Sequence, residues 1–446
     1  MNKIKSLFIN VTCETVTDLY LLWLFTFQLF YMDGNYFERY FGSKKINLML
    51  LASVVYIALF LVVALKTRRK FGFSPNLGVT IAMLSAYTVL TVLSSIQSPY
   101  YKDTIFGVFS SGGFVNAIVF LFVFIAVTQS AHLTVRKLQV LGAVLMLECF
   151  IVFLQIAGFN PFYLYGSSNY YGEGLVTNIG MSCAGTLGNI NVISNLLCVT
   201  VLFLSVNAAT AKVPLLHKVP MISSGVIQLI TLIVLSCALG VVGFGAGLFS
   251  LVCYMALTSK STKLKWGLGL SLVTFSVGLL VLIYFWDPGR SFMHELHKMM
   301  HGNIDYRFGT GRLKIWKDYL SRAKGNVFLG FGADISGYYN LGLFQRYDEA
   351  LGVLFKARAI DAHNVYINVL FSSGAVALTS YVGAIVYCAR NALQKRDAGT
   401  VAAIVAWAVS SFFCVTTPMT QIYFTILLAF SFCSKEEALC VKSNGC

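Results

Sequence analysis

Two stretches of the chain, residues 220–257 and 399–434, run for 38 and 36 residues without one charged side chain. A helix needs about 20 apolar residues to cross a bilayer, so each stretch is too long for one upright crossing and short for two. Further apolar runs lie at 18–37, 46–65, 77–97, 112–130, 138–158, 188–207, 265–286 and 363–389. With 57% hydrophobic residues, 11% charged residues and a mean hydropathy of +0.74, the chain carries more apolar surface than a water-soluble core of this length can hide. In hydrocarbon the backbone must satisfy its own hydrogen bonds, which leaves helices or closed barrels, and ten-residue alternating strands are absent. The expected fold is therefore an all-α polytopic membrane protein of about twelve transmembrane helices. Nine helices are expected within residues 1–286, one long extracytoplasmic loop with short interfacial helices over 287–362, and three more helices with a short tail over 363–446.

Charge placement predicts the orientation. Lys212 and Lys218 precede the first uncharged stretch and Lys260, Lys263 and Lys265 follow it, so an even number of crossings keeps all five on one side. Gly240 and Gly243 are the expected turn between the two helices. In the second stretch, Lys395 and Arg396 stand before it and Lys435 after it, with Pro418 marking the turn. Both termini are then cytoplasmic. The short outside loops hold only Arg39, Lys44, Lys45 and Lys102 of the 33 basic residues. Long translocated loops escape the positive-inside bias, so the basic residues of 287–362 point to a working element rather than to a topology signal.

The same distribution explains the net charge of +15 without nucleic acid, and membrane lipid is the expected surface partner. The first apolar run lacks a small-residue cleavage site, so no removable signal peptide is read. Most of the eleven cysteines fall within spans or at the cytoplasmic face, Cys183 being the clear exception, and no C-x-x-C spacing appears. They read as small polarizable core residues. The Gly-, Asn- and Tyr-rich segment 159–189 suits sugar contacts and interfacial packing equally.

Chemistry concentrates in the long loop. Arg307 and Arg312 bracket a Phe-Gly-Thr-Gly turn from which a helix should start, with Thr310 as its N-cap. Leu313, Trp316, Leu320 and Ala323 recur at helical spacing beside Lys314, Lys317, Arg322 and Lys324, the pattern of an interfacial helix. Two arginines beside a helix N-terminus make an anion site, and the anion at hand on an outer leaflet is a lipid phosphate or diphosphate. For the lysines, general attraction to anionic headgroups is the stronger reading. The loop closes on Asp361-Ala-His363-Asn364 at the mouth of the tenth span. There His363 can take a proton from a hydroxyl, with Asp361 or Asn364 orienting the ring or the acceptor, or else His363 and Asn364 simply cap the helix. His294, His297 and His301 cluster upstream, but no supporting carboxylate or cysteine beyond Glu295 accompanies them, and no metal site and no cofactor are assigned. Glu148, in the middle of the fifth span, must face the bundle interior, where it lines a cavity or makes a helix–helix hydrogen bond.

Taken together, these motifs resemble the O-antigen ligase and O-antigen polymerase family of bacterial envelope glycan enzymes. The likeness rests on Arg312 with Trp316, on Gly330-Phe331-Gly332, on His363-Asn364 followed by Gly374, and on the stretch from Gly185 to Asn195. It covers about residues 180–380. Val327 replaces a common proline, and Ser236-Cys237 stands where the family often carries Ser-Arg. The resemblance implies a metal-independent membrane glycosyltransferase in the bacterial cytoplasmic membrane. Such an enzyme moves a glycan from an undecaprenyl-diphosphate carrier to a hydroxyl of a glycan, lipid or protein acceptor. It would use His363 as base and Arg312 with Arg307 on the diphosphate, with Arg307 the nearest substitute for the missing middle-span arginine. A transporter of lipid-linked oligosaccharide is the alternative.

Overall fold

The computed structural model describes residues 11–31, 43–159, 185–289, 292–305, 308–348, 353–357 and 359–439. Arg307, Cys183 and most of the 159–189 segment lie outside these. Among the described residues the apolar runs are helices: α1 (Cys13–Trp23, continued by a π-helical turn, Leu24–Gln28), α2 (Ser43–Lys66), α3 (Pro75–Gln97), α4 (Phe114–Ser130), α5 (Val135–Ile156), α6 (Ile190–Thr210), α7 (Leu215–Leu235), α8 (Ala238–Thr258) and α9 (Thr262–Phe285). The loop contributes α10 (Phe292–Met300) and α11 (Phe308–Ala323). The chain then returns through α12 (Val365–Gln394), α13 (Ala398–Ser410) and α14 (Pro418–Phe430). Eight of the helices, α2, α3, α5–α9 and α12, are long and apolar enough to cross a membrane, while α4, α13 and α14 are apolar but shorter.

Polar caps set the helix starts. Ser74, Thr134, Asn189, Asn364 and Thr417 each accept a backbone N–H of the first turn, and Pro75 and Pro418 occupy the position where a missing N–H costs nothing. Helix α6 is the hub, with 83% of its apolar stretch buried, whereas α9 is 6% buried and lies at the periphery. Gly240 and Gly243 do not make the α7–α8 turn. That turn is Ser236, in the left-handed region at φ 49°, followed by Cys237. The two glycines lie in α8, where a Cβ would meet Ser194, Ser410 and Cys198, so they let α8 pack closely on α6 and α13.

The loop departs from expectation in two ways. It carries an antiparallel hairpin, β1 (Phe344–Asp348) with β2 (Val353–Ala357), which the sequence pattern did not suggest. Its helix α11 buries Ile315, Tyr319 and Ala323, while Leu320 is 41% exposed, so the inward stripe is shifted from the predicted one. Ile315 and Tyr319 share a small core of their own with Leu341, Ala359, Ala362 and Phe371, which seats α11 on the start of α12. Lys314, Lys317, Arg322 and Lys324 stay exposed, as expected.

Candidate functional site

The geometry of the site follows from a break in α12. At Gly374 the backbone leaves the helical region (φ 85°, ψ 175°), which frees carbonyls and an N–H one turn to either side. The Gly-x-Gly segment supplies the replacements. Phe331 N–H and Gly332 N–H donate to Phe371 O and Ser372 O, both at 2.9 Å, and Ala375 N–H donates to Val327 O at 2.7 Å. A Cβ on Gly374 would collide with Phe328 O, and one on Gly330 would lie 2.5 Å from the Ser372 carbonyl carbon. The two glycine motifs are therefore one joint, in which the loop lies against the opened helix at backbone distance. Val327 takes part only through its carbonyl, so proline is not needed there.

This joint fixes the first turn of α12 and the residues before it. Asn364 Oδ1 accepts Tyr366 N–H at 3.0 Å and Ile367 N–H at 3.1 Å, closing the helix end. Asp361 Oδ1 accepts His363 N–H at 2.7 Å and Oδ2 accepts Thr416 N–H at 3.3 Å. Trp316 Nε1 donates to Ala362 O at 3.0 Å, tying α11 to the same three residues. His363 itself is held at φ 49°, a strained backbone for a non-glycine residue. Asp361 thus orients His363 through its backbone, Asn364 caps the helix that follows, and neither hydrogen-bonds the ring Nδ1.

Arg312 reaches this place from the first turn of α11. The helix starts at Phe308, so Thr310 lies inside it rather than at its cap, and Gly309 N–H is met by Glu295 Oε2 at 2.9 Å. Burial works against the Arg312 charge, while Cys237, Cys414 and Glu295 lie within electrostatic reach and favour it. Cys237 Sγ donates to Asn191 Oδ1 at 3.4 Å. Residues from α6, the α7–α8 turn, α11, α12 and the α13–α14 loop therefore converge.

Two nitrogens here stand out. Arg312 Nε and His363 Nδ1 are fully enclosed yet have no hydrogen-bond partner among the described residues. A buried donor or imidazole nitrogen left unpaired is costly, about 1–3 kcal/mol, and more for a charged group. Burial, aided by the Arg312 charge, pushes His363 down to about 4, so its ring is neutral at physiological pH. Burial pushes the Asp361 carboxyl up to about 7.

Glu148 does not join them. Its carboxylate accepts Thr186 N–H at 2.7 Å and Thr186 Oγ1–H at 2.8 Å, and Lys45 Nζ donates to Leu29 O at 2.7 Å and Thr186 O at 3.1 Å beside it. The carboxylate is thus hydrogen-bonded within the protein, though to the turn at 185–188 rather than to another helix. The loop histidines are likewise engaged locally: His294 Nδ1 pairs with Asp287 Oδ1 at 2.5 Å, His297 Nδ1 with Ile283 O and His301 Nδ1 with His297 O, both at 2.9 Å. No grouping of three metal-ligating side chains occurs among the described residues.

Sequence reasoning missed Asp334. It sits two residues beyond Gly332, and its Oδ2 accepts the N–H groups of Phe109, Ser110 and Gly112 while Oδ1 accepts Ser110 Oγ–H. Its position after the Gly-x-Gly element was the available signal. No family model matches the chain, and no curated protein matches it.

Proposed function

We propose that this protein transfers a glycan from an undecaprenyl-diphosphate carrier to an acceptor hydroxyl at the outer face of a bacterial cytoplasmic membrane. One observation carries the reading: Arg312 and His363, brought together from separate elements, each hold an enclosed nitrogen without a partner. An unpaired guanidinium suits a phosphate-rich leaving group, and an unpaired neutral imidazole suits a hydroxyl proton. The acceptor oxygen attacks the anomeric carbon and its proton passes to the His363 ring. The carbon–oxygen bond to the diphosphate breaks, and the carrier diphosphate leaves with the bonding pair, held by Arg312. Because the Arg312 charge helps to hold His363 down, an anion bound at Arg312 raises the ring's proton affinity when the donor is in place. Arg307 is a second cation for the same diphosphate.

In this reading the chain crosses the membrane twelve times. The first helix and the three shorter apolar helices complete the set, both terminal segments are cytoplasmic, and the 287–362 loop faces outward. Cysteine-accessibility mapping of the exposed Lys314 and Lys317 positions tests the loop's side. Reconstitution in liposomes with labelled undecaprenyl-diphosphate-linked repeat units tests the chemistry. Covalent chain growth, or transfer to an added acceptor, supports the reading; movement of the intact lipid across the bilayer without bond formation overturns it in favour of a transporter. Growth from repeat units alone marks a polymerase, and dependence on a second acceptor marks a ligase.

A further inference from the structure

A cavity lies beside Thr416, whose backbone N–H donates to Asp361. It has a volume of about 110 Å³, between α3, α4, α12 and α14, and is roofed by Ser110, Gly112 and Asp334. A single water needs roughly 10–15 Å³ by the same kind of measure, so the space holds a molecule rather than one solvent site. Hydroxyls and amides dominate its polar wall, with Thr88, Thr91, Asn116, Asn368, Gln421 and Thr425 drawn from all four helices.

Charge is absent from the free surface of this wall. No Lys, Arg or His lines it, and its one carboxylate, Asp334, has both oxygens taken by Phe109, Ser110 and Gly112. The cavity therefore favours neither an anion nor a cation. Several of its polar groups are nevertheless free to bind. Asn116 is only 5% exposed; its Nδ2 donates to Ser111 O at 2.7 Å and Gly113 O at 3.1 Å, which fixes the amide, and its Oδ1 has no partner. The Asn368 side chain makes no hydrogen bond among the described residues. The apolar wall combines aromatic faces, Tyr87 and Tyr381, 5.2 Å apart at 44°, with Phe120 and Phe424, and aliphatic side chains including Leu84, Leu121 and Val369.

Unpaired neutral acceptors and amides beside aromatic faces match a ligand with several hydroxyl donors on an otherwise apolar ring. We infer that the cavity between α3, α4, α12 and α14 binds one neutral saccharide ring. The inference stands apart from the transfer chemistry, since none of its wall is Arg312 or His363.

The experiment uses the full chain in nanodiscs, with methyl α-D-glucopyranoside and its 2-acetamido analogue as probes, read by saturation-transfer NMR. Wild type gives saturable binding of at least one probe. Asn368→Leu removes a side chain with no described protein partner. Thr425→Val removes a hydroxyl bonded only to Gln421 O of its own helix. Each weakens binding by about tenfold, one hydrogen bond's worth, with the unfolding midpoint unchanged. Ala117→Phe fills the space and abolishes binding; should it fail to fold, the other two variants decide. No saturable binding of either probe, or equal binding in wild type and both polar variants, overturns the inference. Binding that persists in His363→Ala is the expected result, so loss of transfer and loss of saccharide binding are separable.

Discussion

Two buried polar clusters sit in the same bundle and differ in one respect. Around Glu148, the carboxylate accepts two hydrogen bonds from Thr186, and the Lys45 ammonium beside it donates to two carbonyls. Around His363, the backbone N–H groups of His363, Tyr366 and Ile367 are met by side chains, yet the guanidinium Nε and the imidazole Nδ1 have no partner among the described residues. The first cluster is self-sufficient and pins the 185–188 turn to α2 and α5. The second is complete only as a framework, and its functional groups lack the partners that a bound molecule would supply. Buried charge is common to both; what separates structure from site is whether the protein satisfies it.

The largest effect that can break this comparison is on activity. His363→Ala should lower transfer from a defined lipid-linked repeat unit by about 10²–10⁴-fold, with protein level unchanged, as expected for loss of a general base. Full turnover by that variant removes His363 from the chemistry. Next comes stability. Glu148→Leu leaves the Lys45 ammonium buried without its carboxylate and should cost about 3–5 kcal/mol, recovered in part by adding Lys45→Met, as measured by unfolding in detergent. Arg312→Met removes a buried cation with no acceptor, so its midpoint should hold or rise while transfer falls by about 10²–10³-fold. A Glu148 variant that stays stable together with an Arg312 variant that unfolds would invert the assignment. A smaller effect is expected of Trp316→Phe, which loses the single bond to Ala362 O and should cost about 1 kcal/mol, read as a modest fall in turnover at unchanged KM.

The smallest effect concerns pH. Asp361 is pushed up to about 7 and His363 down to about 4. Between about pH 4 and 6.5 the folded pair holds its one proton on Asp361, while the unfolded pair holds one on His363, so proton counts match and the pair contributes almost no slope. Asp361→Asn unmasks the histidine. With a folded-state proton affinity below the unfolded one, stability should then be constant above pH 6.5 and decline as pH falls towards 4. In His363→Gln only the raised carboxyl remains, and stability should decline as pH rises from about 4 through 7. Unfolding midpoints across this range check both signs.

The apolar helices were legible because hydrophobic length is a strong signal, and each of α1–α9 and α12–α14 overlaps the apolar run expected for it. The α7–α8 turn was not, because Gly240 and Gly243 serve close helix packing and Ser236 adopts a left-handed conformation that no local pattern announces. Arg312, Trp316, Asp361, His363 and Asn364 could be read because they stand in two short motifs, and the backbone joint at Gly330 and Gly374 explains why those motifs occur together. The polar cavity left no such trace. Its threonines and asparagines are scattered over four helices, and only packing brings them to one space. The inward face of α11 was missed for a related reason: Leu313 and Leu320 keep helical spacing, but the core that α11 meets selects Ile315 and Tyr319.

The most direct test of an unpaired arginine coupled to an unpaired histidine is the titration of the His363 ring itself. In ¹⁵N-histidine-labelled protein in nanodiscs, its resonance is followed with and without inorganic pyrophosphate, in wild type and in Arg312→Met. The expected result is a ring that titrates near 4 in the free protein and moves upward both when pyrophosphate binds and when Arg312 is replaced. A ring that titrates at the ordinary imidazole value in the free protein, or that responds to neither change, would contradict the site.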